Sequence, residues 1–352
     1  METVKNSATT EVTEKSKTYP YRSEILFLYD VFRCNPNGDP FENRPRQDPR
    51  TGRIEVTDVR LKRTTRDYIL RYKHKENDNL EIFVRAIGDI ALTAENRYKE
   101  IFGDLPKSGE EDTARQNLIE KCIDVRMFGA LVPITGEKGK GKKDKGKDEG
   151  ANKDSQKGGG IQLTGAVQFN PGQSLHAAEI LEIAGTGGFA SGEGKKQKTF
   201  RREFLVPYAL IGFYGVINEN IAKETGLTEA DVDLLMEALW KGTLSLHSRS
   251  KAFHRPRLLI RFDYKDEKVC GYFLDKIELV TNNGLAETSI RSPRDYVIKL
   301  DALLEEIQSY KDSLEKVTCR VDRWLNLSPS DLKGEIEKIL GNDGKTLVFE
   351  VT

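Results

Sequence analysis

Few cysteines are present, four in 352 residues, and they stand far apart as Cys34, Cys122, Cys270 and Cys319. None forms the close pairs that a structural zinc site or a dithiol redox motif requires, so reduced core thiols are the expectation. Histidine is equally sparse: His74, His176, His247 and His254 lie in no nucleophile motif. A P-loop, a dinucleotide fingerprint and a zinc-protease helix are all missing, and the glycines between Gly185 and Gly194 lack the Gly-Lys-Ser/Thr ending of a phosphate loop. No cofactor and no metal are expected. Long apolar runs are absent too. The most apolar stretch, Phe204 to Ile217, is uncharged but contains Pro207, Gly212 and Gly215, and it falls short of the roughly 20 residues of a spanning helix. It is predicted to be a buried strand. Met1 to Thr18 carries no apolar signal core, which predicts a cytoplasmic protein with a disordered leader over 1–20.

Net charge is the remaining absence. Lysine plus arginine total 56 and aspartate plus glutamate total 56, which excludes a protein that holds polyanions through bulk charge. A neutral total leaves room for local basic segments. The 37% of hydrophobic residues, with 15 Phe and 12 Tyr, suffice for a sizeable core, in two domains or in one with large insertions.

Along the chain, Ile25 to Phe32 is an aliphatic and aromatic run that ends in the turn cluster Asn35-Pro-Asn-Gly-Asp-Pro40. That pattern predicts a central strand entering a loop, which continues through Asn43-Arg-Pro-Arg46 and Asp48-Pro-Arg-Thr-Gly52. Thr57 or Asp58 is placed to cap a helix over 59–75, with Arg60, Lys62, Arg63 and Arg66 near its start. Cations there oppose the helix dipole by about 0.3 to 1 kcal/mol each. An external anion would relieve the conflict.

Residues 76–121 read as helices, with segments at Leu80 to Leu92 and Ala94 to Phe102, inserted between core elements. Ile123 to Ile134 and Ile161 to Phe169 alternate as strands and are expected to pair. Between them, 136–160 holds eight lysines, five acids and no aliphatic side chain except Ala151. It is expected to be disordered, because it cannot bury enough surface to offset its ordering entropy.

A strand over Ala178 to Ala184, a glycine-rich tip and the return Lys195-Lys-Gln-Lys-Thr-Phe-Arg-Arg202 predict a projecting hairpin. Lys195, Lys196, Lys198, Phe200, Arg201 and Arg202 combine cations with an aromatic face, a mixture suited to a nucleic-acid backbone and its bases. A solvated hairpin has the same composition. Leu227 to Trp240 is an amphipathic helix with a capping-box spacing at Thr228 and Asp231. Leu246 to Arg257 contains Ser248, Arg249, Lys251, His254 and Arg255 and no acid, ahead of a strand over Leu258 to Phe262. Cys270 to Val280 reads as another strand, and Asp301 to Leu340 as peripheral helices. The core order, strand, helix, two strands, then strand, helix, strand, strand, fits an α+β fold: a ferredoxin-like or RRM-like antiparallel sheet. Each basic segment alone is compatible with a solvated face. Together they favour a polyanion bound in a common groove.

Several of these motifs, in order, closely resemble the backbone subunit of type I CRISPR Cascade surveillance complexes, in its I-B and I-C branch. They are Asn35-Pro-Asn-Gly-Asp-Pro40, Asn43-Arg-Pro-Arg46, Asp48-Pro-Arg-Thr-Gly52, Val56-Thr-Asp-Val-Arg-Leu-Lys-Arg63, Asp124-Val-Arg-Met-Phe-Gly-Ala130 and Thr164-Gly-Ala-Val-Gln-Phe169. The resemblance implies an RRM-like palm, helical fingers and a thumb hairpin. On this chain it implies palm at 21–75, 122–172 and 204–281, fingers at 76–121, thumb at 173–203 and a C-terminal peripheral segment at 282–352.

It further implies a non-catalytic subunit of the RAMP superfamily that binds CRISPR guide RNA (crRNA). Such a subunit polymerises with copies of itself as a helical filament along the spacer, contacts other Cascade subunits, and supports guide pairing to target DNA in antiviral defence. The residues assigned to RNA are Asn35, Asn37, Arg44, Arg46, Arg60, Lys62, Arg63, Arg66, the six hairpin residues named above, and Ser248, Arg249, Lys251, His254 and Arg255. Two other readings stand beside it. Related type III backbone subunits use a loop aspartate to cut RNA, which would make Asp39 the centre of a metal-dependent endoribonuclease. A generic, monomeric RNA-binding protein is the other.

Overall fold

The computed structural model describes residues 17–76, 80–85, 92–106, 109–133, 160–190, 198–341 and 344–352. In chain order the strands are β1 (Arg22–Cys34), β2 (Arg46–Gln47), β3 (Arg53–Val56), β4 (Gly129–Pro133), β5 (Gly160–Thr164), β6 (Val167–Phe169), β7 (Gly172–Ala177) and β8 (Leu181–Ala190). They continue with β9 (Lys198–Ile217), β10 (His254–Tyr264), β11 (Glu278–Thr281), β12 (Tyr296–Lys299), β13 (Leu314–Val321), β14 (Leu327–Ser328) and β15 (Thr346–Val351). The helices are α1 (Asp58–Tyr72), α2 (Ala94–Phe102), α3 (Glu111–Lys121), α4 (Ile123–Phe128), α5 (Glu219–Thr225), α6 (Glu229–Leu244), α7 (Asp301–Ser309) and α8 (Leu332–Leu340).

The principal sheet runs β15-β13-β10-β1-β9-β7-β3-β2, with β6 and β8 also paired to β9. Within it β1, α1, β6, β9, α6 and β10 follow one another as βαββαβ, and β10, β1, β9 and β6 lie side by side, all antiparallel. This is a mixed α/β fold with a ferredoxin-like core and helical insertions.

β1 is apolar at nearly every position because both sheet faces are covered. Ile25, Phe27, Tyr29 and Val31 pack under Leu61, Tyr68 and Ile69 of α1 and Val232, Leu235 and Leu239 of α6. Leu26 and Leu28 join the opposite core with Leu210, Ile260 and Phe262, closed by Leu303, Ile307, Val317 and Ile336 of the C-terminal segment. Both major helices are capped as expected. Thr57 accepts from the Arg60 amide, and Thr228 and Asp231 form a reciprocal capping box.

Several expectations need correction. Ile123 to Phe128 is helix, and among the described residues only Gly129–Pro133 is strand, paired with Gly160–Thr164. The misleading alternation came from Asp124 and Arg126, which are buried and ion-paired to Arg66 and Asp231 rather than facing water. Ile161 to Phe169 is two strands, split at Gly165-Ala166. Ala178 to Ile180 interrupts the hairpin's outgoing strand. Among the described residues of Leu80 to Leu92 there is no α-helix: Glu81 bridges to Cys122, and the Phe83 and Val84 amides are held by the Asp124 carboxylate. Cys270 to Val280 is strand only from Glu278, because the Cys270 and Gly271 amides turn inward to the buried Glu24 carboxylate.

The C-terminal segment is not peripheral helix alone. β13 pairs with β10, and β15 pairs with β13, so both extend the principal sheet. At the other end, Tyr19 is fully buried and donates to Asp263, which places it in the core rather than in a leader; residues 1–16 lie outside the described residues. The 136–160 expectation lies outside them too, apart from Gly160, which begins β5.

Candidate nucleic-acid interface

The loop between β1 and β2 is a folded scaffold. Both Asp39 carboxylate oxygens accept backbone amides, from Phe41 and Glu42 on one and Arg44 on the other, and these bonds hold its carboxyl below the usual range. That is turn chemistry. Among the described residues no group of three His, Cys, Asp or Glu could hold a metal ion. Asn37 Oδ1 accepts from both the amide and the hydroxyl of Thr57, the cap of α1, so the loop is fastened to the start of the basic helix. Asn35 is 1% exposed, donates to the Asn43 carbonyl, and leaves its Oδ1 without a partner.

Successive residues of this loop line three adjoining depressions. Asn35 faces a small one of about 80 Å³ at the root of the β8–β9 hairpin, with Arg33, Arg202, Arg249 and Ser250. Pro36 faces a narrow one with Arg60, Leu246 and His254. Asn37 faces an open cleft of about 690 Å³ between α1 and the inserted segment. The last is lined by six arginines, Arg46, Arg60, Arg63, Arg66, Arg85 and Arg97, and among the described residues by no acid. The loop, the helix start, the 248–255 turn and the hairpin base therefore do converge.

The cations are not equivalent. Arg66 is buried against Asp124 at 2.8 Å and lies over the Phe128 ring. Lys62 bonds Asp58 at 3.0 Å and Gln168 at 3.4 Å over the same ring. Both knit α1 to the Phe128-Gly129 and Gln168 motifs. Arg63 is half exposed beside Asp67. Arg249 pairs with Glu203, and Arg202 with Glu182, both on the surface. Arg44 and Arg202 both approach the Phe204 ring, at 5.1 and 5.9 Å, which seats the loop against the hairpin base. Arg46 is half buried and its Nε has no partner.

Arg60 and Lys251 differ from Lys62, Arg63 and Arg66, because no described carboxylate is within ion-pair distance of either. Burial lowers the Arg60 pKa. Burial, then the Arg60 charge, lowers that of Lys251, whose Nζ donates to the Asn35 carbonyl. Burial, Lys251 and Arg60 push His254 down to about 3. Two like charges, partly buried beside a neutral imidazole, favour an anion at this site.

His254 is 3% exposed and stacked on Tyr29, and it lines the narrow depression beside Pro36. Ser248 and Arg255 lie on the exposed turn and strand start. Lys195 and Lys196 lie outside the described residues, and for Lys198, Phe200 and Arg201 the backbone alone is described, as strand. Sequence reading missed Arg85 and Arg97, which the insertion folds back onto α1, and the exposed aromatics Phe32 and Phe253. Phe253 stood in view inside the acid-free stretch 246–257; the arginines gave no signal beyond their charge.

The family model for CRISPR-associated protein Cas7 matches residues 21–301. The chain belongs to the Cas7 family. A CRISPR-associated protein Cas7 of Haloferax volcanii is 31% identical over 319 residues, covering 88% of this chain and 89% of the relative. Two solved structures also align. One is titled CRISPR RNA-guided surveillance complex, with 12% identity, TM-score 0.44 and coverage of 85% of this chain and 88% of the other. The second has the same title in its pre-nicking state, with 12% identity, TM-score 0.46 and coverage of 85% and 92%. Membership of the Cas7 family rests on the sequence matches.

The fold also limits how a Cas7-family chain of this kind meets RNA. Base stacking on an open sheet face, the usual RRM mode, has no room here, because both faces are covered. The depressions along the β1–β2 loop are open and arginine-lined.

Proposed function

We propose that this chain is the non-catalytic backbone subunit of a type I Cascade surveillance complex, of the I-B and I-C branch. Its RRM-like palm would carry fingers at 76–121 and a thumb at 173–203. In this reading it holds guide RNA, polymerises along the spacer with copies of itself, joins other Cascade subunits and leaves the guide's bases free to pair with target DNA. The observation that carries it is the open cleft lined by six arginines and no described acid; one of these arginines, Arg60, is also coupled electrostatically to Lys251.

A filament that must accept any spacer needs phosphate contacts and no base-edge readers. Arginines distributed along a loop, a helix start and a turn meet that need. Asp39 has no role as a metal centre in this reading, since its oxygens are taken by backbone amides. No described helix is long and apolar enough to cross a membrane.

The test is RNA binding by the wild type and by the Arg60→Glu, Lys251→Glu double variant across a salt series. Wild-type affinity should fall linearly in log–log form and be indifferent to sequence. The double variant should lose binding and assembly with a guide while still unfolding cooperatively, at a somewhat lower melting temperature because the Lys251–Asn35 bond is lost. Unchanged binding by a folded double variant overturns the reading.

A further inference from the structure

Phe253 is built in a way that packing does not explain. Its backbone has φ 62°, a region that a bulky residue rarely adopts, and its side chain is 58% exposed. Glycine would satisfy that backbone without strain. An apolar ring gains nothing from water, so neither the conformation nor the exposure serves the fold of the isolated chain.

The surroundings fix the residue firmly. The Phe253 carbonyl accepts the Phe32 amide at 3.3 Å, and the Ser250 carbonyl accepts the Asn35 amide at 2.7 Å. Lys251 Nζ holds the Asn35 carbonyl at 3.0 Å. The turn is thus pinned to the end of β1 at three points, and the ring is presented by a rigid base. Phe32, its cross-strand neighbour, is itself 44% exposed. On either side in sequence stand Lys251 and the exposed Arg255. Exposed aromatics on a rigid turn, flanked by cations, have the chemistry of a stacking surface for single-stranded nucleic acid: phosphates meet the cations and a base meets the ring.

We propose that Phe253 is a stacking platform for one nucleobase of the RNA strand whose backbone occupies the Arg60 and Lys251 site. This rests on the guide-RNA reading above and adds a base contact on the palm side, indifferent to base identity because every base offers a π-face. The platform recurs once per chain.

Phe253→Gly and Phe253→Leu separate the role from structure. Both are assayed on single-stranded RNA carrying 2-aminopurine at successive positions, beside the Arg60→Glu, Lys251→Glu protein. The expected result is about a ten-fold loss of affinity in both variants, with the salt slope unchanged. Fluorescence quenching at a recurring position should be lost as well, and Phe253→Gly should melt higher than wild type without RNA. Wild-type affinity and quenching in both Phe253 variants overturn the platform; if the charge-reversal protein has meanwhile lost binding, the guide-RNA reading survives that failure. Altered self-association without RNA, with quenching intact, also overturns it and assigns the ring to a protein contact.

Discussion

At the scale of single residues, the unpaired cations couple the binding surface to the pH dependence of folding. His254 is held neutral, with its pKa at about 3 against 6.5 for the free side chain. In the unfolded chain it gains a proton as pH falls below about 6.5, while the folded chain resists. Its contribution to stability is therefore full above that pH and is lost as pH falls towards 3, at about 1.4 kcal/mol per pH unit. His176, lowered mainly by burial, acts in the same direction. Urea titrations from neutral to acid pH should show a shallower acid limb in His254→Gln than in wild type. Asp39 makes a different residue-level prediction. Its replacement by Ala releases three backbone amides in the 39–44 loop. Chymotrypsin should then cut faster at the exposed Phe41, while the global melting temperature stays put.

Among the elements, the junction where α4 passes into β4 and β5 into β6 decides whether the insertion is correctly aimed. A Cβ on Gly165 would lie 2.2 Å from the Phe128 carbonyl carbon and 2.3 Å from the Gly129 amide, and one on Gly129 would lie 2.2 Å from the Leu163 carbonyl oxygen. All these are backbone atoms and cannot step aside. Gly165→Ala should cost more than about 3 kcal/mol by denaturant titration, at the upper end of overpacking, and should weaken RNA binding by displacing the Phe128 ring beneath Lys62 and Arg66. The loop and α1 are coupled in a gentler way. Removing the Asn37 side chain costs Thr57 two hydrogen bonds, so Asn37→Ala should lower stability by about 1–2 kcal/mol and detach Arg46 from the cleft.

On the scale of the whole molecule, equal numbers of cations and acids coexist with a cation-lined cleft because the charges are unevenly placed: six arginines and no described acid line the cleft, whereas buried pairs remove cations and acids one for one. Asp124, Asp231, Asp263 and Asp30 are buried partners of Arg66, Arg126, Arg261 and Arg257. For the filament proposed above, a large net charge on each chain would oppose stacking. The C-terminal segment closes the second face of the sheet, and Arg257 reaches from β10 to both Asp30 and Asp322. A chain ending at residue 300 would uncover Leu26, Leu28, Ile260 and Phe262. It should be recovered only in inclusion bodies, as a soluble-fraction assay would show.

Sequence alone determined what depends on local chemistry and on ordered motifs. The β1 run, the Thr57 and Thr228 caps, the turn-rich loop and the family membership were all legible because each lies within a few consecutive residues. The nearness of the helix start and the 248–255 turn to the β1–β2 loop was legible as an expectation, since each adjoined a core element; of the hairpin return only Arg202 is placed there. Tertiary structure alone decided which cations remain without carboxylates. Lys62 and Arg66 look identical to Arg60 in the sequence, and only the placement of Asp58 and Asp124 separates them. The same holds for α4, whose polar residues are paired inside, for β13 and β15, whose sheet partner is far away in the chain, and for His254, which reads as a surface base and is a buried neutral ring. Charge and polarity are written in each residue, but the dielectric and the partner that fix what they do come from residues distant in sequence.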